Sequence, residues 1–171
     1  MSDFSKFIRE IPNFPKQGVS YKDITPLLGN RFAFNAAIEV FVNRFKSERI
    51  DVVVGIDARG FILASALAHR LSIGFVPIRK SGKLPFDCYE ITYDLEYGTD
   101  TLAIHQDAFP RGSRVLICDD VLATGGTLSA SIELVKKLGG DVIGIALLLE
   151  LTEFEGRKKV TGQPIFSLLE F

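Results

Sequence analysis

Apolar positions along this chain keep two different periods, and each period predicts an element. Between Arg31 and Lys46, the residues Phe32, Ala36, Val40, Phe41 and Phe45 fall near helical spacing and predict an amphipathic helix whose stripe faces a core. Asp51-Val52-Val53-Val54-Gly55 reads as a short buried strand, followed by Asp57-Ala58-Arg59-Gly60 as a loop and Phe61 to Leu71 as a helix. Phe75-Val76-Pro77-Ile78 predicts a second strand and Arg114 to Asp119 a third. The third strand enters a glycine-rich turn and a helix whose apolar face is Leu128, Ile132, Val135 and Leu138, stopped by Gly139-Gly140. Val142 to Leu149 is apolar almost throughout, as a strand covered by helices on both faces should be. Strands alternating with helices predict a doubly wound α/β fold around a parallel sheet. Residues 81–105 break the rhythm: Gly82 and Pro85 predict a mobile loop, and Tyr97-Gly98-Thr99-Asp100 the turn of a small antiparallel hairpin.

Composition narrows the ligand more than the fold. With 171 residues, 47% of them hydrophobic, the chain suits one compact domain, and no repeat or linker divides it. A net charge of -1 gives no field of one sign for gripping nucleic acid or an anionic membrane, so a small ligand is expected. Residues 1–20 mix charged and apolar side chains and hold neither a signal-peptide core nor a membrane span, which places the expected location in the cytoplasm. Cys88, Cys118, His69 and His105 show no zinc spacing. Cys118 is expected as a small buried hydrophobe, and His105 in a structural role.

The chemistry concentrates in Val115-Leu116-Ile117-Cys118-Asp119-Asp120-Val121-Leu122-Ala123-Thr124-Gly125-Gly126-Thr127-Leu128, where an apolar strand ends in two carboxylates and small residues open a helix. At the carboxyl end of a strand in an open α/β sheet, such a loop faces the ligand crevice. Gly125 and Gly126 let backbone approach a ligand, and the N–H groups of residues 123–127 converge at the positive end of the helix dipole, a ready phosphate site. Thr124 and Thr127 add hydroxyl donors. Two adjacent carboxylates repel phosphate but suit hydroxyls. Asp119 and Asp120 beside a phosphate cradle therefore imply a ligand with a phosphate at one end and a diol close by, as in ribose 5-phosphate. Neither a Walker loop nor a G-x-G-x-x-G dinucleotide loop is present.

This stretch resembles the phosphoribosyl pyrophosphate signature of the type I phosphoribosyltransferases. Gly18 to Leu28, Asp57-Ala58-Arg59-Gly60-Phe61, Ile78 to Pro85 and Leu95-Glu96-Tyr97-Gly98 resemble, in the same order, the members of that family that act on adenine. The resemblance implies a parallel sheet flanked by helices, a small N-terminal hood over residues 1–30 and a flexible loop and hairpin over 81–105. It implies that Asp119 and Asp120 hold the ribose hydroxyls, that Ala123, Thr124, Gly125, Gly126 and Thr127 hold the 5-phosphate, and that Arg59, Arg79, Lys80 and Lys83 meet the pyrophosphate. Tyr97 would cover the reacting centre, Glu96 would exchange a proton with the purine ring, and Val19, Tyr21 and Lys22 would receive adenine. Magnesium is implied as a cofactor bound mainly through substrate oxygens, with no protein cage, and a homodimer is implied as the assembly.

Pyrophosphate leaves more readily when guanidinium and ammonium groups meet its developing charge, which agrees with those cations. Read without the resemblance, Arg79, Lys80 and Lys83 make an ordinary solvated charge run, and Glu96 an ordinary surface glutamate. Two other readings use the same sugar-phosphate site: a regulator that only senses phosphoribosyl pyrophosphate, and a transferase acting on hypoxanthine, xanthine or another base. Glu96, Lys83 and the hood favour a catalyst over a sensor.

Overall fold

The structure is a computed structural model that describes residues 3–94 and 98–171. Its centre is a seven-stranded sheet in the order β5-β6-β4-β3-β7-β8-β9. The strands are β3 (Val52–Ile56), β4 (Gly74–Lys80), β5 (Cys88–Asp94), β6 (Thr99–His105), β7 (Arg114–Leu122), β8 (Asp141–Glu150) and β9 (Ile165–Glu170). The pairs β4/β3, β3/β7, β7/β8 and β8/β9 are parallel, while the β5–β6 hairpin joins the β4 edge antiparallel through Arg79↔Ala103 and Lys80↔Leu102.

Alternation along the strands divides the core into two layers. Val52, Val54, Ile56, Val115 and Ile117 face one way, onto Leu128, Ile132, Val135 and Leu138 of α4 (Gly126–Leu138). Val53, Leu116 and Cys118 face the other way, onto α2 (Arg31–Phe45) and α3 (Gly60–Leu71), with Ile24 and Leu27 beside α1 (Thr25–Gly29) completing that layer. Burying one large apolar side chain contributes about 1.5–3 kcal/mol, so both faces of the sheet work as cores.

The doubly wound expectation holds, with differences at particular places. The stripe read for α2 counted large side chains, whereas the buried face runs Ala33, Ala37, Phe41 and Phe45 at four-residue steps, and Phe32 is 70% exposed under the guanidinium of Arg31. The third strand does not stop at Asp119. Its ladder with β8 continues through Asp119↔Leu147 to Leu122↔Glu150, so both carboxylates lie inside β7. Thr99 and Asp100, expected in a turn, belong to β6, and Asp94↔Thr99 closes the hairpin. Outside the main sheet, β1 (Arg9–Pro12) and β2 (Ser20–Asp23) pair antiparallel as a separate ribbon that the periodicity did not show. Neither α1 nor β9 had been read from the pattern. Among the described residues, no helix is long and apolar enough to cross a membrane.

Candidate active site

From β3 the chain crosses to β4 on one side, while β7 is followed by β8 on the other, so the loops after these adjacent strands diverge and leave a crevice at their carboxyl ends. The crevice is a cavity of about 390 Å3. One wall is Asp57, Ala58 and Arg59; the other is Asp119, Asp120, Ala123, Thr124, Gly125 and Thr127.

Two helices begin at its rim, and neither α3 nor α4 has a side chain capping its first turn. By contrast, α2 starts under Asn30, whose Oδ1 accepts from the N–H groups of Phe32 at 3.1 Å and Ala33 at 3.0 Å. The first turn of α4 thus offers N–H donors and the positive end of the helix dipole to an anion. At α3 the N–H groups of Phe61 and Ile62 donate to the carbonyls of Ala58 and Arg59 at 3.3 and 3.2 Å, so that terminus offers chiefly its dipole.

The loop before α4 is held from behind. Gly125 has φ +83°, and a Cβ there would lie 2.5 Å from the carbonyl oxygen of Gly156. A Cβ on Gly156 would in turn run into the carbonyl oxygen of Ala123. Position 125 therefore needs glycine for its left-handed backbone and for the close approach, and position 156 for the close approach. The bracing segment contains two short 3-10 turns, Thr152–Phe154 and Gly156–Lys158. It is fastened by Arg157, whose Nε and Nη2 donate to the buried Glu150 carboxylate at 2.6 and 2.5 Å, with the Ser167 hydroxyl donating at 2.6 Å. The Arg157 hydrogen bond chiefly holds the Glu150 carboxyl below its ordinary range. No motif marked Gly156, Arg157 or Glu150 in the sequence, because the brace is distant along the chain from the loop it supports.

Asp119 and Asp120 are both buried. The backbone N–H of Asp120 donates to Asp119 Oδ1 at 2.9 Å. A Cβ on Gly60 would stand 2.6 Å from the same oxygen, which is why α3 opens on glycine here. Burial pushes the Asp119 carboxyl well above the ordinary aspartate range, and the neighbouring Asp120 charge adds to it. Burial raises Asp120 too, against the opposing pull of Arg59. Two adjacent buried carboxyl groups make strong partners for hydroxyls, which can both give and accept.

The cations of the opposite wall are already engaged. Arg59 Nε forms an ion pair with Asp120 Oδ2 at 2.6 Å, and Arg59 Nη1 donates to the Tyr21 hydroxyl. Arg79 Nε and Lys83 Nζ share Asp57 Oδ2 at 3.1 and 3.4 Å, and Arg79 Nη1 donates to the Lys83 carbonyl at 3.3 Å. Lys80, the next residue on β4, instead pairs with Asp100 of the hairpin at 2.9 Å, which chiefly accounts for its raised pKa. Successive strand residues point to opposite faces, so Arg79 and Lys80 cannot share one anion from their present positions.

The same alternation divides the hood. Tyr21 faces Arg59, while Ser20 and Lys22 line a second hollow of about 400 Å3 with Leu151, Thr152 and Phe171. Lys22 Nζ pairs with Glu10 at 3.2 Å and lies 4.9 Å from the Phe171 ring centroid. Both backbone groups of Val19 are used in the hood turn, its N–H donating to Lys16 and its carbonyl accepting from Phe14, each at 3.2 Å.

Gly126 opens α4 with its back against the Tyr93 ring of the hairpin, and the Tyr93 hydroxyl stands 3.2 Å from Thr127 Oγ1. The structure thus gathers Arg59, Asp119, Asp120, Ala123, Thr124, Gly125 and Thr127 around one cavity, with Arg79 and Lys83 joined to it through Asp57. It leaves Lys80, Val19 and Lys22 outside that cavity. Glu96 and Tyr97 lie outside the described residues. Among the described residues, no cluster of three or more His, Cys, Asp or Glu side chains forms a metal cage.

Comparison with known proteins agrees with this geometry. The family model of the phosphoribosyl transferase domain matches residues 26–164. The adenine phosphoribosyltransferase of Symbiobacterium thermophilum is 53% identical over 169 residues, covering 99% of either chain. The crystal structure of the adenine phosphoribosyltransferase of Thermoanaerobacter pseudethanolicus superposes with a TM-score of 0.96 at 50% identity, covering 99% of this chain and 98% of that one. The enzyme of Saccharomyces cerevisiae, solved with an imino-altritol bisphosphate and adenine, matches with a TM-score of 0.93 at 38% identity, covering 98% of this chain and 97% of that one. The chain belongs to the phosphoribosyl transferase domain family, in its adenine phosphoribosyltransferase branch.

Proposed function

We propose that the chain converts adenine and 5-phosphoribosyl 1-pyrophosphate to AMP and pyrophosphate, a purine salvage reaction. The observation that carries this reading is the pair of buried carboxylates, Asp119 and Asp120, set in one cavity between the uncapped N-terminus of α4 and Arg59. The first-turn N–H groups of α4, with Thr124 and Thr127, receive the 5-phosphate. Asp119 and Asp120 hold the ribose hydroxyls. Arg59, Arg79 and Lys83 meet the pyrophosphate, and Lys80 joins them only by leaving Asp100. As the bond from the anomeric carbon to pyrophosphate lengthens, these cations stabilise the charge that develops on the leaving group. Holding both reactants in line supplies most of the remaining rate, and no nucleophilic side chain is required.

The attacking base sheds a proton as its bond to the sugar forms, and Glu96 is proposed to accept it. Tyr97 is proposed to cover the centre. The ring of Tyr21 offers a flat apolar face to the purine, with Val19 and Lys22 as further hood contacts. Magnesium fits a crevice lined by the hard carboxyl oxygens of Asp57, Asp119 and Asp120, and when bound with substrate it would supply charge neutralisation for pyrophosphate. The segment over 81–93, of which residues 88–93 belong to β5, is proposed to move over bound substrate. A homodimer is supported by Ile62 on α3 and Phe75 on β4, large apolar side chains exposed on neighbouring elements. The free thiols of Cys88 and Cys118 fit a reducing compartment such as the cytoplasm.

Purified protein with magnesium and phosphoribosyl pyrophosphate, given a panel of bases, should release pyrophosphate with adenine and essentially none with hypoxanthine or guanine. Adenine presents an amino donor beside a ring acceptor, hypoxanthine a carbonyl beside a ring N–H, and such mismatches discriminate by about 10⁴–10⁵-fold. Comparable kcat/KM for adenine and hypoxanthine would overturn the choice of base. Absence of pyrophosphate release with every base would overturn the transferase reading.

A further inference from the structure

Arg59 occupies two places that the proposed substrates need. Its Nε is 2.6 Å from Asp120 Oδ2, a carboxylate assigned to the ribose hydroxyls. Its guanidinium carbon lies over one face of the Tyr21 ring, 5.0 Å from the centroid, and its Nη1 donates to the Tyr21 hydroxyl. The Phe14 ring meets the same tyrosine with centroids 5.2 Å apart at 72°, so the hood ring has a second aromatic support. Arg59 is the residue just before α3, and Tyr21 is in β2, which belongs to a different sheet; this link joins the hood to the pyrophosphate wall.

Resting on the transferase reading above, we propose that Tyr21 is a positioning residue whose hydroxyl latches Arg59 across the base-stacking face, so that the base site opens when phosphoribosyl pyrophosphate draws Arg59 away. The ribose hydroxyls displace Arg59 from Asp120, and the pyrophosphate offers it a denser anion than a single carboxylate. A base arriving first must break the cation–ring contact and the hydroxyl hydrogen bond itself. Arriving second, it finds the ring free. Each ligand then relieves a cost that the other would bear, and linkage requires the effect to be reciprocal. Phenylalanine at position 21 keeps the stacking ring and its partly exposed cation–ring contact, the weaker of the two, and removes the hydroxyl hydrogen bond that is the latch.

The test uses 9-deazaadenine, whose carbon at the attacking position prevents transfer, and calorimetry of its binding with and without saturating phosphoribosyl pyrophosphate and magnesium. In the wild-type protein, the second ligand should tighten base binding by about fivefold or more. In Tyr21→Phe the factor should fall below about twofold, chiefly because the base binds more tightly to the otherwise empty protein. A Tyr21→Phe protein that keeps the wild-type factor overturns the latch, and so does a wild-type protein with no coupling. AMP formation from adenine by the same wild-type preparation checks the underlying reading separately: AMP without loss of coupling in Tyr21→Phe sinks the latch alone, whereas no AMP sinks both.

Discussion

The two walls of the cavity grip anions by opposite means. The loop after β7 offers backbone N–H groups, fixed by glycine geometry and braced by Gly156 from behind. The opposite wall relies on long cationic side chains, Arg59 from the loop after β3 with Arg79 at the end of β4 and Lys83 just beyond it, which rest on Asp120 and Asp57. A backbone cradle is preorganised and need not rearrange on binding, whereas a side-chain clamp must exchange one anionic partner for another. On the proposed assignment, one wall fixes the substrate's position and the other responds to it.

The sharpest way to break the cradle is Gly125→Ala. Forcing φ +83° on a residue with a Cβ, 2.5 Å from the Gly156 oxygen, stores roughly 1–3 kcal/mol or moves the loop. Affinity for phosphoribosyl pyrophosphate should fall by about 10–100-fold, with a lower thermal midpoint, as calorimetry and thermal unfolding would show. Wild-type affinity in a folded variant would mean that the cradle is not the phosphate site.

Removing the charges between the walls should come next in size. Asp119→Asn with Asp120→Asn leaves the shape and removes charge-assisted bonds worth roughly 1.5–3 kcal/mol each, so a loss of at least about tenfold in affinity is expected. Unchanged affinity by calorimetry rejects the ribose assignment.

The clamp should yield more gently and show its nature through salt. The Lys83 side chain is 47% exposed, so its attraction for pyrophosphate is screened. Lys83→Ala should weaken binding by about three- to tenfold at low ionic strength and flatten the dependence of affinity on salt. Equal salt slopes for variant and wild type would show that Lys83 does not meet the anion.

The smallest expected effect is on pH and stability, where the two kinds of carboxylate carry opposite signs. The raised pKa values of Asp119 and Asp120 mean that their stabilising contribution is full below the unfolded value and is lost as pH rises through the folded one. The lowered pKa of Glu150, held by Arg157, gives the reverse: its contribution is present above the unfolded value and is lost as pH falls through the folded one. Denaturation across pH should therefore show the double asparagine variant gaining relative to wild type as pH rises, and Glu150→Gln losing relative to wild type. A gain for both on the same side would contradict the assigned causes.

The sequence by itself determined the alternation of strands and helices, the parallel sheet, and the small-residue loop at 123–127 that opens α4, because periodicity and the pairing of carboxylates with glycines are local features. Tertiary structure decided how far β7 runs: pairing with β8 carries it past two aspartates that local propensity would place in a loop. It set Arg79 and Lys80 on different faces, with Asp57 as partner for one and Asp100 for the other. It also decided the brace of Gly156 and Arg157 behind the phosphate loop, and the reach of Arg59 to Tyr21, 38 residues away in sequence. Such contacts leave no periodic trace, since each depends on which side chains the closed chain brings together.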